Sequence, residues 1–328
     1  MKLYIIGNGF DLYHGIKSSF WNFQDYVEEN HSDLYERIEQ FLGGDDFWSD
    51  FESYLGDIDE EEIRDRAETF LMDYGAEDWS DAGHHDYQYE ISQITDDICE
   101  GITSALLEWI MQLTIAQTQN DAISLPVDAL YLTFNYTDTL ERLYRINSMN
   151  IKYIHNKAVD NSSILVYGHK RIKEPSKTDA EIISDINTAR EEALTDAEIQ
   201  EILDDIHSGD DPRVTEGEEI IREYYRTTYK PVNEIIERNQ DFFNQLSDFE
   251  EIYVLGHSLN EIDLPYFKLI REKVGGGITW NVSYYCDEER TRHQSRLYSI
   301  GVSETQMNFI RISDLSIELK IDFTANAH

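Results

Sequence analysis

Short polar motifs follow several apolar runs in this sequence, and their side chains could bind a ligand or transfer protons. In chain order the motifs are GNGFD from Gly7, FNYTDTLE from Phe134, IHNK from Ile154, YGHK from Tyr167 and GHSLNEIDLPYF from Gly256. Each begins where an apolar run ends, which is typical of a strand followed by a loop. The carboxyl ends of parallel strands meet at one edge of a sheet, where α/β proteins bind ligands. The order of the motifs therefore predicts one crevice that all five line.

The first motif surrounds Asn8 with Gly7 and Gly9 and places Asp11 two residues further on. Because glycine has no Cβ, the backbone here can turn sharply and come close to a phosphate group. The third glycine of the dinucleotide-binding fingerprint is absent, since Leu12 occupies its position. A tight strand-to-helix turn capped by Asp11 is therefore an alternative to phosphate binding.

The other motifs have structural alternatives as well. Asn135 precedes a helix whose cap is Thr137 or Asp138, so it could serve as a capping residue. His155, at a strand end, could be satisfied by a backbone carbonyl. The G-x-S-x-G pattern fails after Ser258, so a serine hydrolase is not expected. The histidines show no metal-ligand spacing of the H-E-x-x-H kind, and no metal centre is expected.

Alternating strands and helices are predicted to position these motifs. Strand-length apolar runs lie at 2–6, 129–134, 151–155, 163–168, 251–256 and 279–286. Helix-length stretches separate several of these runs, notably Asp138 to Asn147 and Asp263 to Lys273. Alternation of this kind predicts an α/β fold with a doubly wound, Rossmann-like, mainly parallel sheet.

Two long segments interrupt the alternation. Residues 18–120 keep a mostly helical spacing of apolar side chains around an acidic loop near 73–86, which predicts a mainly helical insertion. Residues 171–248 are predicted to form a second, acidic helical insertion, whose stretch 178–223 carries sixteen acidic residues. Helical periodicity returns over 218–246, as a packed helix leading back to the sheet. We expect one α/β domain, 1–328, that carries both insertions.

The charge balance disfavours two classes of partner. A formal net charge of −39 repels a nucleic-acid backbone and an anionic membrane surface. The N-terminal apolar run is shorter than the core of a signal peptide, and the most apolar helical stretch, 101–118, carries Glu108 and falls short of a membrane span. Two cysteines give no disulfide framework. We expect a cytoplasmic protein with no membrane partner.

Four blocks of the sequence resemble those of a known family. IIGNGFDLYHGIKSSFWNF, TFNYTDTLERLY, IHNKA and YVLGHSLNEIDLPYF look like the hallmark blocks of the AbiH family, in the family's order, over residues 4–267. AbiH proteins are bacterial abortive-infection proteins associated with resistance to phage. The resemblance implies a part in phage defence, with a phage or host protein as the trigger. The acidic stretch 178–223 lies outside these blocks.

A more distant similarity links the same blocks to sirtuin-like NAD-consuming domains. Those domains carry a G-x-G loop after a strand, a T-x-N-Y block, a histidine and a late glycine-serine loop. The positions that follow this scheme in order are Gly7, Gly9, Gly15, Ile16, Thr133, Asn135, Tyr136, Leu140, Glu141, His155, Gly256, His257 and Ser258. This similarity implies that the glycines admit the pyrophosphate of NAD.

The sirtuin-like similarity also implies roles for individual side chains. Asn135 is expected to hold a ribose hydroxyl or the attacking water, and His155 is expected to be the general base. Thr137 stands where those NADases have an aspartate, so Asp138, one residue later, is the third catalytic candidate. The candidates for binding NAD are Gly7, Asn8, Gly9, Asp11, His14, Gly256, His257, Ser258 and Asp263.

These observations leave three hypotheses for the function. The first is an abortive-infection effector that binds and hydrolyses NAD or a related nucleotide, as an NAD glycohydrolase would. The second is a sensor that binds a small-molecule nucleotide without cleaving it. The third is a protein-interaction module in phage defence that uses the acidic stretch.

Overall fold

The computed structural model describes residues 1–43, 45–72, 83–115, 123–173, 195, 198–200 and 211–315. Six strands in these ranges form one sheet. In chain order they are β1 Lys2–Ile6, β2 Leu130–Thr133, β3 Ile151–Tyr153, β4 Glu251–Leu255, β5 Thr279–Ser283 and β6 Met307–Ile310. Most of the predicted acidic loop near 73–86 and most of the acidic stretch 178–223 lie outside the described residues.

Helices flank the sheet and also form a group of their own. The α-helices with described bounds, α1 to α13 in chain order, are Asn8–Tyr13, Phe20–Asn30, Ser32–Phe41, Asp45–Ser49, Phe51–Tyr54, Glu60–Glu68, Asp86–Gln112, Thr139–Tyr144, Pro212–Thr227, Val232–Arg238, Gln240–Asn244, Leu264–Val274 and Asp287–Ser299. Short 3₁₀ turns lie at Gly83–His85, Ser148–Asn150, Gln245–Asp248 and Glu304–Gln306.

The strand order identifies where a ligand would bind. The sheet runs β3-β2-β1-β4-β5-β6, and every neighbouring pair is parallel. In register, Ile5 of β1 pairs with Leu132 on one side and with Val254 on the other. The chain therefore winds outward in both directions from β1 and β4, which is the topological switch point of a Rossmann-like sheet. The predicted doubly wound α/β fold is confirmed.

Both faces of the sheet are covered. On one face, alternate strand residues such as Leu3 and Ile252 pack against helices α10 to α12. On the other face, Tyr4 and Leu255 pack with Phe10 of α1 and with the chain around Ile123. Burial on both faces explains why the strands are almost continuously apolar.

A separate helical core lies beside the sheet. Apolar side chains of α2 to α7 and of α9 form one buried cluster, which includes Phe23, Trp48, Ile94 and Tyr224. The two segments predicted as insertions thus share a hydrophobic core. How the chain divides into domains stays a prediction.

Three local predictions differ from the structure. The run 163–168 is not a strand: it passes along the protein without ladder pairing, and only His169, just beyond it, forms an isolated bridge with Tyr229. Strand β6 was not predicted, because the strand is only four residues long and its side chains are partly exposed at the edge of the sheet. The helix expected over 218–246 is three helices. The first break ends at Pro231, which forces the residue before it out of helical conformation.

Direct backbone contact joins the loops that follow β1 and β4. Gly7 N donates to Leu255 O at 3.0 Å, and Gly9 N donates to Gly256 O at 2.7 Å. A Cβ on Gly7 would lie 2.5 Å from the His257 Cα. The close contact between the two loops therefore explains why glycine occupies these positions, since a side chain there would push the loops apart.

Gly256 should be the most sensitive of these glycines to substitution. Its φ is +66° and a Cβ would lie 2.0 Å from Phe10 N, so Gly256→Ala combines backbone strain with overpacking. We expect a loss of about 2–5 kcal/mol in the free energy of unfolding, measured by urea denaturation. Gly276→Ala is the matched control, because nothing lies within 4 Å of its Cβ position. A control effect above about 0.5 kcal/mol, or an equal effect of both variants, would contradict this account.

Candidate functional site

A cavity of about 590 Å³ lies at the switch point of the sheet. Its floor is formed by the segments that follow β1, β2, β3 and β4, and its wall by helices α2, α5 and α7. Volumes of this size are typical of small-molecule sites, and the carboxyl edge of the strands is the expected location.

Most of the predicted site residues line this cavity. They are Gly7, Asn8, Gly9, Asp11, Asn135, His155, Gly256, His257, Ser258 and Asp263. Four of the five polar motifs thus converge, as their order in the sequence predicted. The motif YGHK does not contribute, because its buried His169 instead bonds the Thr228 hydroxyl through Nε2 at 3.0 Å.

Two predicted site residues lie outside the cavity. His14 is buried behind α1, where its ring bonds the Phe10 carbonyl and the Tyr144 hydroxyl. Asp138 does not line the cavity and forms an ion pair with Arg142 at 2.8 Å. Neither side chain therefore joins the candidates that line the cavity.

Asp11 provides a carboxyl group beside the second motif. It is almost fully buried, and its Oδ2 accepts a hydrogen bond from the Thr137 hydroxyl at 2.5 Å. Burial raises the pKa of Asp11, and the neighbouring Thr137, Thr139 and Asn135 offset this only in part. A carboxyl group thus stands next to Thr137 although the sequence has none at that position.

Three residues that line the cavity each carry a buried polar atom without a hydrogen-bond partner among the described residues. The atoms are Asp11 Oδ1, Asn135 Oδ1 and His155 Nε2. Their side chains are at most 7% exposed. Buried polar atoms are nearly always paired, so these three positions are suited to a bound ligand or water.

The hydrogen bonds of His155 determine its tautomer. His155 bonds the backbone of Phe134, whose N–H already donates to Ile6 O at 2.9 Å, so the partner is the Phe134 carbonyl. Since Nε2 has no partner, Nδ1 carries the proton. Burial, reinforced by the charge of Lys230, lowers the pKa of His155 well below its usual value. A neutral ring with a free Nε2 lone pair can accept a proton.

His257 has the opposite tautomer. Its Nδ1 accepts a hydrogen bond from Leu259 N at 2.9 Å, so the proton of the neutral ring lies on Nε2. That atom is 3.6 Å from Asp263 Oδ2, while His155 Nε2 is 3.6 Å from Asp263 Oδ1. Burial lowers the pKa of His257 to about 4, against the raising effect of Asp263. The carboxylate thus lies between one donor and one acceptor.

A buried lysine holds this carboxylate. Lys230 Nζ is 2.9 Å from Asp263 Oδ1 and 3.0 Å from Glu52 Oε1, and its side chain is fully buried. Burial raises the pKa of Asp263, but the charge of Lys230 and the hydrogen bond that Lys230 donates, together with the two nearby histidine rings, outweigh it, and the net shift is downward. Burial raises the pKa of Glu52 to about 7 despite Lys230.

The remaining wall is divided between apolar and basic side chains. Phe20 stacks on Phe51 with ring centroids 4.6 Å apart, and Trp109 continues this surface. At the mouth, Arg296 donates to Leu259 O at 2.6 Å, and Arg292 is exposed without a carboxylate partner in the described part of the chain. The cavity therefore has an acidic floor, a planar apolar wall and a basic rim.

Sequence reasoning missed Glu52, Lys230 and the two arginines. Glu52 and Lys230 are 178 residues apart, and neither stands in a motif. The one local sign that Lys230 is unusual is the following Pro231, which interrupts the helical pattern there. The arginines lie one turn apart on α13, but Arg222 and Arg226 show the same spacing on another helix, so the spacing alone does not mark a site.

Two features, a metal-binding cluster and a membrane-spanning helix, are absent from the described part of the chain. No group of three or more His, Cys, Asp or Glu side chains in that part of the chain could hold a metal ion. Among the helices described, none is long and apolar enough to cross a membrane.

The sheet order and the flanking helices define a Rossmann-like α/β protein with a cavity at its switch point. The chain belongs to the family described as bacteriophage abortive infection AbiH, whose model matches residues 3–284. Membership implies a role in phage abortive infection. A search of curated proteins and a search of solved structures each found no match.

The low pKa of His257 predicts a pH dependence of stability. Between pH 6.5 and about 4, the unfolded chain binds a proton at His257 that the folded protein does not, so stability falls as pH falls. The variant His257→Asn removes this pH-dependent contribution to the stability of the protein. We expect the difference in unfolding free energy between protein and variant to be smaller at pH 5.5 than at pH 7.5 by about 1 kcal/mol. A difference that stays constant across this range would contradict the burial of a neutral His257.

Proposed function

We propose that this protein hydrolyses NAD or a related nucleotide in the switch-point cavity, as the effector step of abortive infection. The observation that carries the proposal is that three residues lining one cavity each hold a buried polar atom with no hydrogen-bond partner among the described residues: Asp11 Oδ1, Asn135 Oδ1 and His155 Nε2. A ribose hydroxyl and a water molecule offer the donors that such acceptors require.

The shape and charge of the cavity support a dinucleotide-like ligand. Phe20, Phe51 and Trp109 offer a surface for a flat ring. The usual phosphate position beside the glycine loop is restricted, because Gly9 N is already bonded to Gly256 O. We therefore assign the phosphates to the basic rim at Arg292 and Arg296, where guanidinium groups suit phosphate oxygens.

In the proposed reaction, water replaces nicotinamide on the ribose. The glycosidic C–N bond breaks, and its electron pair leaves with nicotinamide. A water molecule held by Asn135 forms the new C–O bond while His155 Nε2 takes its proton. The positive charge that develops on the ribose is favoured by the acidic floor, which includes Asp263.

Asp11 supplies the carboxyl group that the family of NADases has at position 137. It reaches this place from α1, and the hydroxyl of Thr137 fixes its orientation. This assignment replaces Asp138, which is paired with Arg142 outside the cavity.

Turnover of NAD by the purified protein tests the proposal. We expect His155→Ala and Asn135→Ala to lower the rate of nicotinamide release by about 10²–10⁴-fold, because each removes a group that handles the water. Asp11→Asn should lower the rate more than Asp138→Asn does. His85→Ala is the control, since His85 is an exposed histidine remote from the cavity. Equal background turnover in all samples, including protein from phage-infected cells, would remove the enzymatic proposal.

A non-hydrolytic sensor is the second candidate, and it is favoured by the threonine at position 137. It uses the same cavity and rim, but the nucleotide stays intact. Binding then changes the stability of the fold and not the concentration of the nucleotide.

Ligand-induced stabilisation tests binding whether or not cleavage occurs. A nucleotide at a hundred times its dissociation constant should stabilise the fold by about 2.7 kcal/mol. Arg292→Ala should weaken binding of ADP-ribose about tenfold and leave binding of nicotinamide unchanged, because only the former carries phosphates. Calorimetry measures both. A loss that is equal for the two ligands would contradict a phosphate-binding rim.

A further inference from the structure

Lys230 is held in place by its own backbone. Lys230 N donates to His169 O at 2.9 Å, and His169 N donates to Thr228 O at 3.0 Å, so residues 228–230 lie against the chain at His169. Gly168 permits this approach, since a Cβ there would lie 2.2 Å from Thr228 O. The lysine thus enters the site from a fixed position and not from a mobile loop.

All three protons of the Lys230 ammonium group have carboxylate acceptors. Its Nζ lies 3.0 and 3.1 Å from the two oxygens of Glu52 and 2.9 Å from Asp263 Oδ1. The side chain is 0% exposed, and within the described residues the carboxylates of Glu52 and Asp263 are the partners that compensate its charge. Lys230 therefore connects helix α5, which carries Glu52, with the loop after β4, which ends at Asp263.

Asp263 in turn faces both histidines of the cavity. The groups around His155 are Asp263, Lys230 and His257, with the rings of Phe134, Tyr136 and Tyr266. Without Lys230, the buried carboxylate of Asp263 would face His155 with no cation beside it. A protonated histidine would then be favoured, and its Nε2 could no longer accept a proton.

We propose that Lys230 is the positioning residue of this site: it holds Asp263 between the two histidines and keeps His155 Nε2 available as a proton acceptor. The proposal rests on the proposed function, in which His155 takes a proton from water. It extends that function by making the base depend on a residue outside every motif of the sequence.

Histidine protonation can be observed without any turnover. In ¹⁵N-histidine-labelled full-length protein, long-range ¹H–¹⁵N spectra between pH 5 and 8 report the tautomer and charge of each ring. The His155 signal is assigned by its loss in His155→Gln. We expect a neutral His155 with the proton on Nδ1 throughout this range in the unmodified protein. In Lys230→Met we expect His155 to become protonated within the range, with its midpoint raised by at least one pH unit.

Two further variants make the result decisive. Lys268→Met removes an exposed lysine from α12 and should leave the His155 signals unchanged. The double variant Glu52→Gln, Lys230→Met removes one charge of each sign, so it is expected to fold even if Lys230→Met alone does not. Because Asp263 stays unpaired in the double variant, the midpoint of the His155 titration should still be raised. A His155 titration identical to that of the unmodified protein, in whichever of the two Lys230 variants is folded, would overturn the proposal.

The same samples separate this inference from the proposed function. If Lys230→Met shifts His155 but the unmodified protein never releases nicotinamide, the positioning role stands and the NAD reaction fails. If the protein does hydrolyse NAD, we expect Lys230→Met to lower kcat and to move the acid limb of the pH–rate profile upward, with KM little changed. A changed KM with an unmoved profile would mean that Lys230 serves the structure only.

Discussion

The backbone contact between the loops after β1 and β4 determines where chemistry can occur in this protein. In a doubly wound sheet these two loops diverge and leave a crevice for the ligand. Here Gly9 N bonds Gly256 O at 2.7 Å, so the two loops touch and the space lies further out, under helices α2, α5 and α7. Backbone amides of the glycine loop are then partly used by the fold itself. A ligand in this space would therefore meet mainly side chains, including those of the polar residues that follow the strands.

Charge compensation is the second constraint, and it follows from the first. A cavity enclosed between the sheet and the helical core buries Asp263 and Glu52, and buried carboxylates are costly unless a cation accompanies them. Lys230 provides that cation. Replacing such a cluster with apolar residues often costs no stability, so its presence points to a role in the chemistry of the site. The opposite tautomers of His155 and His257 agree with this view, because the N–H of His257 faces Asp263 at 3.6 Å while His155 Nε2 has no donor among the described residues.

The sequence predicts the sheet better than it predicts the site. Continuous apolar runs ended by glycine or asparagine suffice to find strands buried on both faces. The run 163–168 has the same composition but is not a strand. Leu165 and Tyr167 pack on the helical core and Val166 packs on the sheet core, so its side chains alternate between two cores although its backbone pairs with no strand. Motifs at strand ends could be found because a parallel sheet gathers them at one edge. Glu52 and Lys230 could not, because only tertiary packing joins them.

The position of Asp11 shows why a missing motif residue does not mean a missing chemical group. Strands β1 and β2 are neighbours, so the helix after β1 lies beside the loop after β2, and Asp11 reaches Thr137 from an adjacent segment. A carboxyl group therefore lies beside position 137 in space although the residue there is a threonine. Its environment gives it a different property, because burial raises the pKa of Asp11. Burial thus disfavours the ionised form of Asp11, and a protonated carboxyl group donates a hydrogen bond as well as accepting one, which an ionised aspartate cannot do.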